Sequence, residues 1–270
     1  MNEGDQRRRL ELLDSVFRPS APVDRADLFS GRGRQLTAVQ EAIGAVGQHP
    51  VIFGERGVGK TSLAATCVDI AHHRRRIAMR VSCDQSDKFV TLWHKVIDEF
   101  PVIVADADEE DRPALEEAAG RATDVLAYGD SLGPSQVRVA LRHLTSVAAV
   151  VIFFDEFDQV SDTETLALFS NTIKLLSDQI EDVTLVAVGV GDSVDSLISG
   201  HVSIQRNLAQ VRMPRMNGEE IEGILDKGLD NLGLKIEENG RRFIRVVPLR
   251  APAVCASPGP GRGAPGTGQG

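Results

Sequence analysis

The chain is poor in cysteine: Cys67, Cys83 and Cys255 are the whole supply, an odd number at wide spacing. They form neither a disulfide framework nor a zinc pattern, which fits a reducing cytoplasm. Long apolar runs are also missing. The longest, Val147 to Phe154, is far too short to span a membrane. The N-terminus carries basic residues without an apolar stretch behind them, so no secretory signal is expected. An excess of positive charge is missing too. The formal net charge of −9 argues against broad non-specific nucleic-acid binding by the whole surface. Arg7–Arg9 and Arg74–Arg76 remain as local basic clusters, the second read as a solvated helix end. There are no internal repeats. The 270 residues suffice for one large or two smaller domains with a proper core.

What is present is concentrated in one run, Val51-Ile52-Phe53-Gly54-Glu55-Arg56-Gly57-Val58-Gly59-Lys60-Thr61-Ser62. It fills every fixed position of G-x-x-x-x-G-K-[ST], with an apolar strand before it and a helix-forming stretch after it. In that context the glycines let backbone N–H groups close around the β- and γ-phosphates of a nucleotide. Lys60 adds a point charge, and the Thr61 hydroxyl can ligate Mg²⁺. The helix N-terminus favours the negative charge.

Strands are predicted at Val51–Phe53, Ile77–Ser82, Ala149–Phe154, Val183–Gly189 and Leu208–Met213. Helices are predicted near 28–46, after a turn at Gly31–Gly33, and near 61–73, 85–99, 135–147 and 162–180. Continuous apolar strands alternating with helices indicate an α/β fold, a parallel sheet covered by helices on both faces. Phe89, Trp93, Val96, Ile97 and Phe100 recur at helical spacing and read as a core stripe, not a base-stacking site. Asp106–Asp111 and Gly129–Gly133 read as an insertion or a pair of loops. Asn217 and Glu220 resemble a capping box ahead of an apolar face at Ile221, Ile224, Leu225, Leu229 and Leu232. A second short helix is expected over Glu237–Val247. The expected organisation is an N-terminal helix and linker over 1–22, a nucleotide-binding core over 23–214, a partial helical lid over 215–247 and a tail over 248–270.

The strand Val150-Val151-Ile152-Phe153-Phe154 ends in Asp155-Glu156. Carboxylates at the C-terminal end of a strand lie at the ligand edge of an open α/β sheet. Asp155 is placed to hold Mg²⁺ through water, and Glu156 to orient or deprotonate an attacking water. Asp158 reads as a cap or surface residue. No Asn-Lys-x-Asp base-reading motif occurs, and Asp155 does not open an Asp-x-x-Gly run, so ATP is favoured over GTP. An apolar strand ending in Asp-Glu suits hydrolysis better than small-molecule phosphorylation.

Phe29-Ser30-Gly31-Arg32, the phosphate loop and Phe153-Phe154-Asp155-Glu156 together resemble an AAA+ ATPase. The branch they resemble holds the origin-recognition and cell-division-cycle initiator ATPases and their bacterial relatives. The resemblance implies that Phe29, Gly31 and Arg32 help form an adenine pocket. It implies that Arg206, in Ser203-Ile204-Gln205-Arg206-Asn207-Leu208, is an arginine finger; a salt bridge at a strand start is the alternative. Val183–Gly189 is similar to a sensor strand, whose polar end residue would be Asp192 or Ser193. A homo-oligomer is compatible with the family, and DNA binding follows only by family analogy. The expected activity is Mg²⁺-dependent ATP hydrolysis coupled to remodelling or loading of an unidentified protein partner. The alternatives are a nucleotide-operated signalling switch and a regulatory ATP-binding module with little turnover.

From Pro248 the composition turns to Pro, Gly, Ala and Arg, which cannot form a packed core. The bacterial relatives are similar to one another in a Gly-Leu-Pro-x-Tyr-x-His run at this point. Shifting the codons of Arg250–Ala256 forward by one base permits Gly-Leu-Pro-Gln-Tyr-Ala-His. A frameshift, or a sequencing error, that replaced the rest of the lid is therefore expected, with a disordered linker as the alternative; the gene sequence decides between them.

Overall fold

The computed structural model describes residues 32–127, 132–179, 182–191, 202–231 and 233–234. Five strands form one fully parallel sheet: β1 (His49–Gly54), β2 (Ile77–Ser82), β3 (Val150–Asp155), β4 (Val183–Val190) and β5 (Leu208–Arg212). Their order is β2-β3-β4-β1-β5, so β1 is an inner strand inserted between β4 and β5. Crossovers between parallel strands need connections long enough to hold a helix. One helix, α1 (Gly33–Gly44), precedes β1, and five lie in the connections between β1 and β4: α2 (Lys60–His73), α3 (Phe89–Asp106), α4 (Arg112–Leu126), α5 (Pro134–Thr145) and α6 (Thr163–Gln179). A seventh, α7 (Gly218–Asn231), follows β5.

Alternation along each strand divides the core in two. Val150, Ile152 and Phe154 of β3 join Met79, Val81, Leu92, Trp93, Leu141 and Phe169 on one face. Val151 and Phe153 join Ile52, Leu63, Cys67 and Val188 on the other, beneath α1 and α2. Each large apolar side chain fully buried in this way contributes about 1.5–3 kcal/mol. Trp93 meets Phe89 and Phe154 edge-on, at ring separations of 6.2 and 5.8 Å. The stripe read from the sequence is thus core, as expected. Cys67 and Cys83 are buried free thiols. Among the described residues no helix is long and apolar enough to cross a membrane.

Two helices differ from the sequence reading. The one expected over 85–99 runs from Phe89 to Asp106, straight through Pro101. Pro101 removes a backbone donor, but its ring is exposed while Ile103 continues the buried stripe, and that burial offsets the lost bond. Between Asp106–Asp111 and Gly129–Gly133, the stretches read as an insertion or a pair of loops, lies α4, a helix the sequence reading did not assign. Its buried face is Leu115, Ala118, Ala119, Ala122 and Leu126, mostly alanine, so its hydrophobic signal is weak although its spacing is helical. The capping box at Asn217 is formed: Asn217 Oδ1 accepts from the Glu220 amide, and Glu220 Oε2 accepts from the Asn217 amide. The second lid helix, the N-terminal helix and the tail lie outside the described residues.

One buried polar group ties the sheet to α6. His49 Nδ1 accepts the Leu185 N–H at 2.9 Å, and its Nε2 donates to Ser177 Oγ, which in turn donates to Ile173 O. Burial pushes the imidazole from 6.5 down to about 4. The unfolded chain therefore takes this proton first. The contribution is complete above pH 6.5 and is lost as pH falls toward 4, by about 3 kcal/mol at most. Urea unfolding at a series of pH values should show this acid slope, and His49→Gln should lack it. Equal slopes in the two proteins would contradict the assignment.

Candidate nucleotide-binding site

The phosphate loop joins the end of β1 to the start of α2. Its glycines are required by geometry at two points. A Cβ at Gly54 would collide with the Met213 carbonyl, and Gly59 sits at φ 93, in the left-handed region. Lys60 opens α2 and is buried. Its Nζ donates to Gly54 O at 3.0 Å and Glu55 O at 2.7 Å, which folds the loop around its own lysine. Burial lowers the ammonium pKa, and the nearby charges of Asp158 and Asp155 oppose that shift.

Asp155 ends β3 with its side chain on the α2 face, following Val151 and Phe153 in alternation. Its Oδ1 accepts from Thr61 Oγ1 at 3.4 Å and from the Glu156 amide at 3.0 Å. Oδ2 faces Arg80 Nη1 at 3.2 Å. Glu156 is exposed and held in the left-handed region, at φ 56 and ψ 31. For a residue with a Cβ this costs about 1–3 kcal/mol, a form of strain that clusters at functional sites. Asp158 is half-buried and accepts the Val190 amide at 2.8 Å, fastening the turn after β3 to the end of β4. Thr61 and Asp155 offer hard oxygen ligands at one point. Among the described residues no cluster of three or more His, Cys, Asp or Glu gathers. That donor set fits Mg²⁺, which takes one or two protein ligands together with phosphate and water.

The segment after β5 closes one side of the loop. Register pairs Phe53 of β1 with Arg212, so the next residues run beside the glycines. Arg215 pairs with Glu55 through Nε at 2.8 Å and Nη2 at 2.6 Å. The Met216 methyl group lies over Gly59. Arg32 is fully buried and donates to Val58 O and Pro214 O, with Glu220 of α7 at 3.7 Å. Burial lowers its pKa, and Glu220 opposes the shift. Its Nε and Nη1 have no hydrogen-bond partner. Arg215, Met216 and Glu220 were not singled out from the sequence as site residues. The signal was their position directly after β5, which becomes meaningful only once β5 is known to pair with β1.

The structure thus gathers Arg32, Gly54, Glu55, Gly57, Val58, Gly59, Lys60, Thr61, Asp155 and Glu156 at the C-terminal edge of the central strands. Arg56 and Ser62 complete the loop and the first turn of α2. Phe29, Gly31, Asp192 and Ser193 lie outside the described residues. Arg206 is not gathered with the others. It precedes β5 at the opposite edge of the sheet, its side chain 73% exposed and 3.9 Å from Asp178. A strand as long as β1 separates the two edges by roughly 17 Å, at about 3.3 Å per residue.

A loop of this shape on an inner strand of a parallel sheet, with an Asp at the end of β3 facing it, defines a P-loop nucleoside triphosphatase fold. The family model for the AAA ATPase domain matches residues 28–186, and the chain belongs to that family. Among solved structures, the Walker-type ATPase PABY2304 of Pyrococcus abyssi is similar over 86% of this chain and 66% of its own, at 15% identity and TM-score 0.57. Cdc6p of Pyrobaculum aerophilum is similar over 81% of this chain and 53% of its own, at 17% identity and TM-score 0.52. The chain therefore spans just under two thirds of the first and about half of the second. At such identities the likeness shows a shared fold. No match is found among curated protein sequences.

Proposed function

We propose that the chain binds ATP at this loop and hydrolyses it with Mg²⁺, coupling the cycle to remodelling or loading of a partner. The observation that supports this best is the convergence of Lys60, Thr61 and Asp155, with Glu156 strained beside them. Lys60 exchanges its contacts with Gly54 O and Glu55 O for the β- and γ-phosphates, and the loop amides bind the remaining oxygens. Bound magnesium would be held by Thr61 and Asp155 and would supply charge neutralisation of the phosphates. Glu156 orients a water in line with the γ-phosphate and receives its proton. Arg32, buried beside the loop with its Nε unpartnered, lines the nucleoside end. Arg206 reaches the nucleotide of a neighbouring subunit in a homo-oligomer. The proposed setting is the cytoplasm, and contact with DNA remains a family analogy.

A second reading is a signalling switch with slow turnover. The pairs Glu55–Arg215 and Arg32–Glu220 favour it, because they tie the phosphate loop to the start of α7. Nucleotide that reshapes the loop would be felt by that helix. Steady-state turnover with and without candidate partners separates the readings. Fast basal turnover supports remodelling, and a long-lived bound nucleotide supports the switch. An absence of hydrolysis in every assembly state would overturn both and leave a binding module.

A further inference from the structure

We propose that Arg80 is the internal counter-cation of Asp155, occupying one oxygen of the metal-binding carboxylate and so setting the magnesium concentration that nucleotide binding requires. The inference rests on the nucleotide reading above. Asp155 is 4% exposed at its side chain, and a buried carboxylate needs a charge partner. Oδ1 is taken by the Glu156 amide and Thr61 Oγ1, which leaves Oδ2 for a cation. Arg80 supplies it at 3.2 Å.

The sheet explains why Arg80 can do this. In the β2–β3 register Arg80 lies opposite Phe153 and Ser82 opposite Asp155. Ile77, Met79 and Val81 belong to the other core, so Arg80 stands on the same face as Asp155. It is two residues short of the carboxylate, and its long side chain runs forward to reach it. β2 is an edge strand, and the Arg80 side chain remains 34% exposed, so it can withdraw without crossing packed core. A second carboxylate waits within its field. Glu99 of α3 is raised in pKa by burial and drawn back by the Arg80 charge. A guanidinium and a divalent cation repel each other at one buried carboxylate, so magnesium and Arg80 compete for Asp155, and the Glu99 charge draws Arg80 the other way. Arg80 is a positioning residue in this account and takes no part in bond making.

The test is magnesium dependence of binding, read with a fluorescent non-hydrolysable ATP analogue on the full chain. Arg80→Gln should lower the half-saturating magnesium concentration by about tenfold. In EDTA it should bind the analogue several-fold more weakly, because a positive charge near the phosphates is gone. Arg80→Lys keeps a cation and should stay close to the parent. Glu99→Gln removes that pull on Arg80 and should raise the midpoint about two- to threefold. A purely structural Arg80 would change melting temperature and leave the midpoint in place. An unchanged or raised midpoint in folded Arg80→Gln overturns the proposal. If Arg80→Gln does not fold, an unchanged midpoint in Glu99→Gln overturns it instead. A parent that takes up magnesium and analogue normally keeps the nucleotide reading intact in either case, whereas a parent that binds no analogue overturns both.

Discussion

Replacing Glu156 by Gln is expected to leave ATP affinity within a few-fold of the parent and to lower hydrolysis by about 10²–10⁴-fold, the range for losing a positioned general base. Gln keeps the size and polarity of the side chain and loses the charge that orients and deprotonates water. Affinity survives because the phosphate contacts come from the loop amides and Lys60. The left-handed backbone at Glu156 gives the substitution an informative control. Glu156→Gly removes the same carboxylate and also relieves the strain, so it should match Glu156→Gln in rate while melting no lower than the parent. Bound and turned-over nucleotide can be measured on one sample by filter retention and phosphate release. Unchanged turnover in Glu156→Gln would remove the proposed base.

Arg206→Ala is expected to lower turnover by roughly 10³–10⁵-fold wherever subunits meet, the effect of removing an arginine finger supplied across an interface. Arg206 cannot serve its own phosphate loop, since it lies at the other edge of the sheet, exposed and only loosely paired with Asp178. Such a pair contributes little in water, so the side chain is readily redirected. Mixing makes the prediction specific. Arg206→Ala subunits keep an intact Glu156, and Glu156→Gln subunits keep an intact Arg206. At interfaces that combine them, a complete site forms, and part of the activity should return when the two inactive variants are mixed. A strictly monomeric protein whose turnover is unaffected by Arg206→Ala would assign this residue to the ion pair with Asp178 alone.

The sheet was legible in the sequence because its three inner strands, β1, β3 and β4, are largely apolar and buried on both faces, which leaves few competing readings. The phosphate loop and Asp155 were legible as a pattern, because each needs specific residue types in a fixed strand context. What escaped depended on tertiary neighbours. Arg80 looks like an ordinary edge-strand arginine until the β2–β3 register brings it to Asp155. Arg215 and Met216 follow a strand end and acquire a role only because β5 pairs with β1. Asp158, read as a cap or surface residue, binds the Val190 amide across a strand boundary that no local signal marks. α4 escaped for a different reason: alanines can line a buried helix face where neighbouring helices approach closely, but they carry little hydrophobic contrast.

The central claim is that the loop around Lys60 binds ATP. Calorimetric titration of ATP and magnesium into the parent and into Lys60→Ala tests it most directly. Lys60 is buried and free to exchange two loop carbonyls for phosphate, a charge-assisted contact worth on the order of 1.5–3 kcal/mol. The account predicts saturable binding by the parent and at least about tenfold weaker binding by the variant. Equal affinities in the two proteins, or no binding by the parent, would contradict it.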